Sequence, residues 1–384
     1  MARVHWLGAG LSAVPGLRRL IEIGRTVTVW NRTIDKAHAA TEALSGDFRV
    51  EALTLDALGA AIAPGDVVVS MLPGTMHVSI AEICLEKSAH FVSSSYVSPE
   101  LAALDQAFVA KGLVAINEVR LDPGIDHLLA HLLVDEYKSS SAYDPANTHH
   151  FKSYCGGFPK IANDFRYKFS WSPLGVLKAL KSPAKSIRGG VAVDTLRPWH
   201  AVADYQAILP SGSETFQSYP NRDSLPFMKD YQFGDDWKVE TFVRGTLRLS
   251  GWTDAWKHIF DEIETLEGDA GEKRLVEMSA DLWDNYTYDA GEADRVVMCV
   301  DFEAAHGGKS VWHKSYVLDS AGDIHASAMA RLVSVPVSLA VEAVLDGKLS
   351  NGVQAAPKDP ATINVWLDVL RERGETIEIV DLLV

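Results

Sequence analysis

The chain has 384 residues, more than one hydrophobic core ordinarily serves, so two domains are expected. Hydrophobic residues at 47% and charged residues at 23% exclude a disordered or fibrous chain and leave a globular one with a large core. A formal net charge of −15, with no basic run to offset it, argues against nucleic acid or an anionic membrane as partner, and an anionic substrate would need its own group of arginines.

The opening residues 2–17, ARVHWLGAGLSAVPGL, read as a buried strand, a glycine turn and the start of a helix. Val4, Trp6 and Leu7 have the bulk a central parallel strand requires. Gly8 can end a strand abruptly, Gly10 leaves room for a pyrophosphate, and Ala13 stands where a third glycine often lets helix and strand approach. Free amides at the helix start complete an anion site. A lone glycine triplet also occurs in turns that bind nothing, so the context decides.

A helix over 12–24 leads to a second strand, Arg25–Trp30, at βαβ spacing. It ends in Asn31-Arg32-Thr33. An acidic residue there would bind the ribose hydroxyls of NAD, whereas a neutral one followed by Arg and Thr can surround a 2′-phosphate, which favours NADP. The plainer reading of Arg32 is a solvated surface arginine. Next come a helix over 34–44, a strand over 48–55 ending at Asp56, and a short helix to Ala63. The apolar strand 66–72 then stops at Pro73-Gly74. Its end, Ser70 to Pro73, is where an open α/β sheet meets a nucleotide. A helix over 76–87, a strand over 90–95, a helix over 99–111 and a strand over 113–118 complete six strands. The alternation predicts an α/β fold with a Rossmann-type doubly wound parallel sheet.

Leu121-Asp-Pro-Gly-Ile-Asp-His127 breaks the rhythm before a helix over 127–136. Beyond Ser139 the βαβ period is gone, and strands at 149–154 and 241–249 point to a second, α+β domain with a mixed or antiparallel sheet. Residues 253–283 read as a helical excursion, and 295–306 with 309–318 as a hairpin around Gly307-Gly308. The apolar helix 326–346 is expected to return the chain to the first domain. The division is therefore 1–122 with 326–384 for the dinucleotide and 123–325 for the substrate.

Three separated cysteines, Cys84, Cys155 and Cys299, form neither a disulfide framework nor a zinc cluster, which suits a reducing cytoplasm. The start lacks a basic segment followed by an apolar one, so export is not expected. No metal-ligand spacing appears among the 13 histidines. Asp122, before Pro123-Gly124, is either a catalytic carboxylate or an Asx-turn residue. Asp126 suits a helix cap and His127 a structural role. Cys155, in Ser153-Tyr-Cys-Gly-Gly157, is either a small buried apolar residue or a thiol that donates to a catalytic carboxylate. Alternation puts Arg244, Thr246 and Arg248 on one strand face, as a surface stripe or an anion site.

Gly8-x-Gly10, Asn31-Arg-Thr33, Ser94-Ser-Tyr96, Leu121 to His127, Ser153 to Gly157, Tyr167-Lys-Phe-Ser-Trp171, Tyr219-Pro-Asn-Arg-Asp-Ser224 and Arg244-Gly-Thr-Leu-Arg248 follow in order along nearly the whole chain. Together they resemble the saccharopine reductase family, the glutamate-forming saccharopine dehydrogenases. The resemblance implies a homodimer whose second domain binds substrate and dimerises. It also implies oxidation of the CH–NH group of saccharopine to an imine, which water splits into glutamate and 2-aminoadipate 6-semialdehyde, or the reverse. By motif, Ala9, Gly10, Leu11, Ser12, Asn31, Arg32, Thr33, Asp56, Ser70, Met71, Leu72 and Ser95, beside Gly8, would bind NADP. Tyr96, Asp122, Arg222, Thr246 and Arg248 would bind saccharopine, with Asp122 as acid–base group supported by Cys155 and Tyr96. Two alternatives remain: a carboxynorspermidine-type polyamine reductase, which would call for acidic residues where Arg222 and Arg248 stand, and a regulatory NADP-binding protein without catalysis.

Overall fold

The apolar runs of the first third fold as short strands separated by helices. In the computed structural model, which describes residues 2–383, these are β1 (Val4–Leu7), α1 (Val14–Glu22), β2 (Val27–Asn31), α2 (Ile34–Ala40), β3 (Phe48–Ala52), α3 (Leu55–Ala61), β4 (Val67–Ser70), α4 (His77–Lys87), β5 (His90–Ser93), α5 (Pro99–Ala102), α6 (Asp105–Ala110), β6 (Val114–Ile116) and α7 (Ile125–Ser139). The chain goes on through β7 (Thr148–Pro159), α8 (Pro173–Lys181), β8 (Ala184–Arg188), β9 (Val191–Thr195), β10 (Ala203–Leu209), β11 (Gly212–Pro220), α9 (Pro226–Asp230), β12 (Lys238–Leu249), α10 (Trp252–Ala255), α11 (Lys257–Thr265) and α12 (Gly268–Tyr286). It ends with β13 (Asp294–His306), β14 (Lys309–Ala321), α13 (Ala328–Leu345), β15 (Gly352–Gln354), α14 (Pro360–Glu372) and β16 (Ile377–Asp381). Two units result: residues up to Leu128 with Ala330–Trp366, and Leu129–Met329 with the residues from Leu367 on.

The first unit is built on a sheet of order β15-β6-β5-β4-β1-β2-β3, parallel throughout. Its central strands β1 and β4 are buried along their whole length, as helices on both faces require. Full burial of each Val or Leu there contributes roughly 1.5–3 kcal/mol. The expected six strands are seven, because the returning chain adds β15 beside β6. The helix expected over 99–111 is divided, with Asp105 at the break accepting the Val353 amide of β15 at 2.8 Å. Close approach of α1 to α13 is made at Gly16, where a Cβ would stand 1.9 Å from the Ser334 carbonyl oxygen. The Gly16 amide donates to Ser334 Oγ at 2.8 Å, and Arg19 pairs with Glu342 at 2.5 Å. By length and hydropathy alone α13 could cross a membrane, but 78% of it is buried, as in the core helix of a folded domain.

The second unit carries a mixed sheet of order β10-β11-β12-β7-β13-β14-β16, in which β12 and β7 run parallel and the other neighbours antiparallel. Alternation divides its faces. Tyr154, Phe158, Phe216, Val243, Leu247 and Val297 form an apolar cluster on one side. Ser153, Cys155, Arg244, Thr246 and Arg248 take the other. The helical excursion forms as three helices, α10 to α12, which with α8 enclose Phe165, Tyr167, Phe169, Trp252 and Trp256. Asp294 caps α13 from the start of β13, accepting the amides of Ala328 and Met329 at 2.7 and 2.9 Å.

Two boundaries differ from the sequence reading. The first unit extends to Leu128 rather than residue 122, because the first turn of α7 stays with it. The chain end does not all return to the first unit: β16 pairs with the edge of β14, in register from Lys314↔Asp381 to Leu318↔Ile377, and takes the residues from 367 onward into the second.

Candidate functional site

The glycine turn of the first unit is shaped by backbone geometry. Gly8 has φ +101° and donates to the Trp30 carbonyl at 2.8 Å, and a Cβ there would meet the Met71 carbonyl oxygen at 3.0 Å. At Gly10 a Cβ would meet nothing within 4 Å, so its bareness leaves open space instead of serving packing. Among the described residues the amides of Gly10, Leu11 and Ser12 have no hydrogen-bond partner, and α1 begins two residues later. Three consecutive free amides at a helix start form an anion cradle. Leu11 stands 58% exposed at its rim.

Asn31 organises this turn in a way its neutrality alone did not reveal. Its Oδ1 accepts the Ala9 amide at 3.2 Å and its Nδ2 donates to the Thr33 carbonyl at 2.7 Å. Ala9 is thus held by protein and serves the cradle by position. Arg32 and Thr33 are exposed, and among the described residues no carboxylate pairs with Arg32. A free guanidinium at the end of β2 fits a 2′-phosphate. Asp56 is exposed in the first turn of α3, just past β3.

At the ends of β4 and β5 a residue absent from the sequence reading joins two that were in it. His77 lies between Ser70 Oγ, 2.9 Å from its Nδ1, and Ser95 Oγ, 2.8 Å from its Nε2. Burial lowers its pKa to about 4, with the charge of Arg120 adding to the effect, so the ring is neutral and joins the two hydroxyls as one donor and one acceptor. Ser70 is consequently turned inward, and Met71 and Leu72 are the half-buried residues at that strand end. Arg120 Nε is buried with no hydrogen-bond partner among the described residues.

Tyr96 and Asp122 are both half-buried, and the Tyr96 hydroxyl lies 3.5 Å from Asp122 Oδ1. The turn that carries Asp122 is tight. Gly124 has φ +150°, and a Cβ on it would stand 2.0 Å from the Arg120 carbonyl oxygen. Asp126 is wholly buried and accepts the Gly124 amide at 2.7 Å, so it holds the turn from within.

In the second unit, Arg248 is 7% exposed, far from the surface-stripe reading. Its guanidinium lies over the rings of Tyr167, Trp252 and Tyr219 at 5.0, 5.4 and 5.5 Å. Among the described residues no carboxylate pairs with it, and its Nε is buried without a hydrogen-bond partner. Burial raises the pKa of the neighbouring Tyr219, against the charge of Arg248. A desolvated cation without a counter-charge is costly unless an anionic ligand supplies one. Thr246 and Cys155 face each other across the β12–β7 pair, both less than fully buried, with Thr246 also opposite Tyr219. Arg222 is exposed at φ +58° beyond β11. Register places it beside Arg244, whose carbonyl accepts the Asn221 amide at 2.9 Å, and not beside Arg248, four residues or roughly 13 Å along the strand. Within this unit the two arginines expected in one cluster are thus spread.

No group of three or more His, Cys, Asp or Glu side chains that could hold a metal occurs among the described residues. A cavity of about 340 Å³ on the opposite face of the second sheet, lined by Lys152, Tyr205, Asp301 and His313 among others, contains none of the expected site residues.

Comparisons with known proteins match both parts of the chain. The saccharopine dehydrogenase NADP binding domain matches residues 4–116 and the saccharopine dehydrogenase C-terminal domain matches 121–375. The saccharopine dehydrogenase (NADP+, L-glutamate-forming) of Pyricularia oryzae is 29% identical over 96% of this chain and 96% of its own. Its namesake from Saccharomyces cerevisiae is 36% identical over 69% of this chain and 59% of its own. Among solved structures, apo saccharopine dehydrogenase (L-Glu forming) from Saccharomyces cerevisiae has a TM-score of 0.81 at 27% identity, covering 100% of both chains. The homospermidine synthase of Legionella pneumophila, in complex with NAD, has a TM-score of 0.66 at 10% identity, covering 100% of this chain and 92% of its own, a likeness of fold alone.

Proposed function

The chain belongs to the saccharopine dehydrogenase family, and from that premise we propose that it is the NADP-dependent, glutamate-forming enzyme of lysine metabolism. Saccharopine, water and NADP+ give L-glutamate, 2-aminoadipate 6-semialdehyde, NADPH and a proton, or the reverse reductive condensation runs. The observation that carries the reading is Arg248, a buried guanidinium to which only a ligand's carboxylate would bring a counter-charge.

NADP+, when bound, supplies the hydride acceptor. The amides of Gly10, Leu11 and Ser12 hold its pyrophosphate, Arg32 and Thr33 its 2′-phosphate, and Asp56, Met71, Leu72 and Ser95 line its path. Arg248 with Thr246, and Arg222 farther along, hold carboxylates of an extended substrate that carries three of them. Asp122, with Tyr96 beside it, accepts the proton of the secondary amine as the C–H bond breaks and C=N forms. It returns that proton to the imine nitrogen; the restored carboxylate takes a proton from the water that adds to that carbon and delivers it to nitrogen as the C–N bond breaks, the hydroxyl proton of the adduct passing to solvent as the aldehyde forms. The resemblance gives Cys155 a supporting role in this acid–base chemistry. A polycationic amine would meet Arg248 as a like charge, which disfavours the polyamine reading.

The test is coenzyme reduction followed by absorbance, with saccharopine against spermidine-type amines and NADP against NAD. Turnover with saccharopine and NADP is expected. Turnover with the polyamine alone, or coenzyme binding with no turnover of either substrate, would overturn the reading. The proposal extends to a cytoplasmic homodimer: the three unbridged cysteines support a reducing compartment, and light scattering at twice the chain mass checks the assembly.

A further inference from the structure

We propose that Glu118 is a positioning residue that sets Tyr96 against Asp122. The inference rests on the role given above to that pair. Glu118 follows β6 with φ +58°, a left-handed backbone that a residue with a side chain adopts only where its surroundings impose it. Its amide donates to the Ser95 carbonyl at 3.0 Å, and its Oε1 accepts the Val97 amide at 3.0 Å. Tyr96 is therefore gripped on both sides by one residue.

The second carboxylate oxygen reaches the other half of the pair. Glu118 Oε2 lies 2.9 Å from His127 Nε2, and the His127 amide donates to the Gly124 carbonyl at 2.9 Å. His127 Nδ1 is 3.6 Å from Asp126 Oδ2, and the other oxygen of Asp126 accepts the Gly124 amide at 2.7 Å. This row of side chains underlies the turn that begins with Asp122. The side chains of Glu118, His127 and Asp126 are 10%, 4% and 0% exposed, so solvent weakens these contacts little. One oxygen of Glu118 accepts the amide that follows Tyr96, and the other lies against His127, whose own amide closes the turn of Asp122. The distance between the two reacting side chains is thereby fixed from beneath, with Glu118 itself out of the chemistry.

A double-mutant cycle tests this, because a residue that serves only the fold would not be coupled to the Tyr96 hydroxyl. Glu118→Ala, Tyr96→Phe and the double variant are assayed for kcat, for KM of saccharopine and for NADPH affinity. Glu118→Ala is expected to lower kcat roughly 10- to 50-fold with NADPH affinity within about twofold of the parent. The double variant is expected to be no slower than the slower single one, within about twofold. Multiplying effects, a Glu118→Ala variant with parental kcat, or NADPH affinity falling in step with kcat would each overturn the assignment. Should Glu118→Ala fail to fold, Glu118→Gln, which keeps the shape and one acceptor, carries the cycle under the same criteria. A parent protein inactive on saccharopine would instead overturn the proposed reaction.

Discussion

In the first unit the groups proposed to hold the coenzyme lie where parallel strands stop: Gly8 to Ser12 after β1, Asn31 to Thr33 after β2, Ser95 after β5. Much of what they present is backbone, most plainly the three free amides. In the second unit Cys155, Thr246 and Arg248 lie within long strands and present side chains from one face of a sheet. The contrast concerns what must stay fixed. A site of strand ends depends on turn conformation, so Gly8 and Gly124 are its sensitive points. A site on a sheet face depends on register, since a slip of one residue in β12 would exchange Arg248 for Leu247.

Substitutions can break or sharpen this contrast. The largest effect is expected at Asp122: Asp122→Asn keeps the shape of the turn and should lower saccharopine turnover roughly 100-fold or more by steady-state assay, with NADPH affinity unchanged. Equal loss of NADPH affinity would make Asp122 part of the turn's architecture alone. Next, Arg248→Met should raise KM for saccharopine by roughly 30-fold or more, the scale of a buried charge contact. It should leave the thermal midpoint unchanged or higher, since it removes a buried cation that no carboxylate among the described residues balances and whose Nε is unpaired. A fall of several degrees would mean that the guanidinium holds the sheet face together and the contrast fails. Arg32→Ala should weaken NADP binding about tenfold by fluorescence titration and leave NAD binding alone.

The smallest effect is expected from acid. Burial lowers His77 in the first unit and His149 in the second to about 4. The unfolded chain takes up these protons near pH 6.5 and the folded one only near 4, so stability falls as pH drops through that window. Each histidine contributes at most about 1.4 kcal/mol per pH unit. Denaturant titrations at pH 7 and 5 should show the loss, and His77→Asn should reduce it; equal loss in the variant would remove His77 from the account.

What could be read in the sequence follows the same division. Gly8 announces itself because its backbone angles suit few other residues, and the βαβ rhythm shows six strands of one parallel sheet, though not their order within it. His77 did not, because its partners Ser70 and Ser95 are 7 and 18 residues away and only the neighbouring of β4 and β5 brings them to it. Glu118 is silent for the same reason: Val97, whose amide it accepts, is 21 residues away, and only the neighbouring of β5 and β6 brings the two together. Alternation placed Arg244, Thr246 and Arg248 on one face, but nothing in the spacing said that the face is closed over by Tyr167, Tyr219 and Trp252. β15, three residues long, is too short to show a period. β16 carried one, Ile377 and Ile379 between Glu and Val, but pairing with an edge as distant as β14 is invisible in a local pattern.

The placement of β15 and β16 bears on how the protein is made. The coenzyme-binding half leaves the ribosome first, yet its sheet stays one strand short until residue 354 has been synthesised. The last strand then joins a sheet whose other members were already translated. Neither half corresponds to a contiguous stretch of message, so truncating the gene anywhere before β16 leaves at least one sheet unfinished.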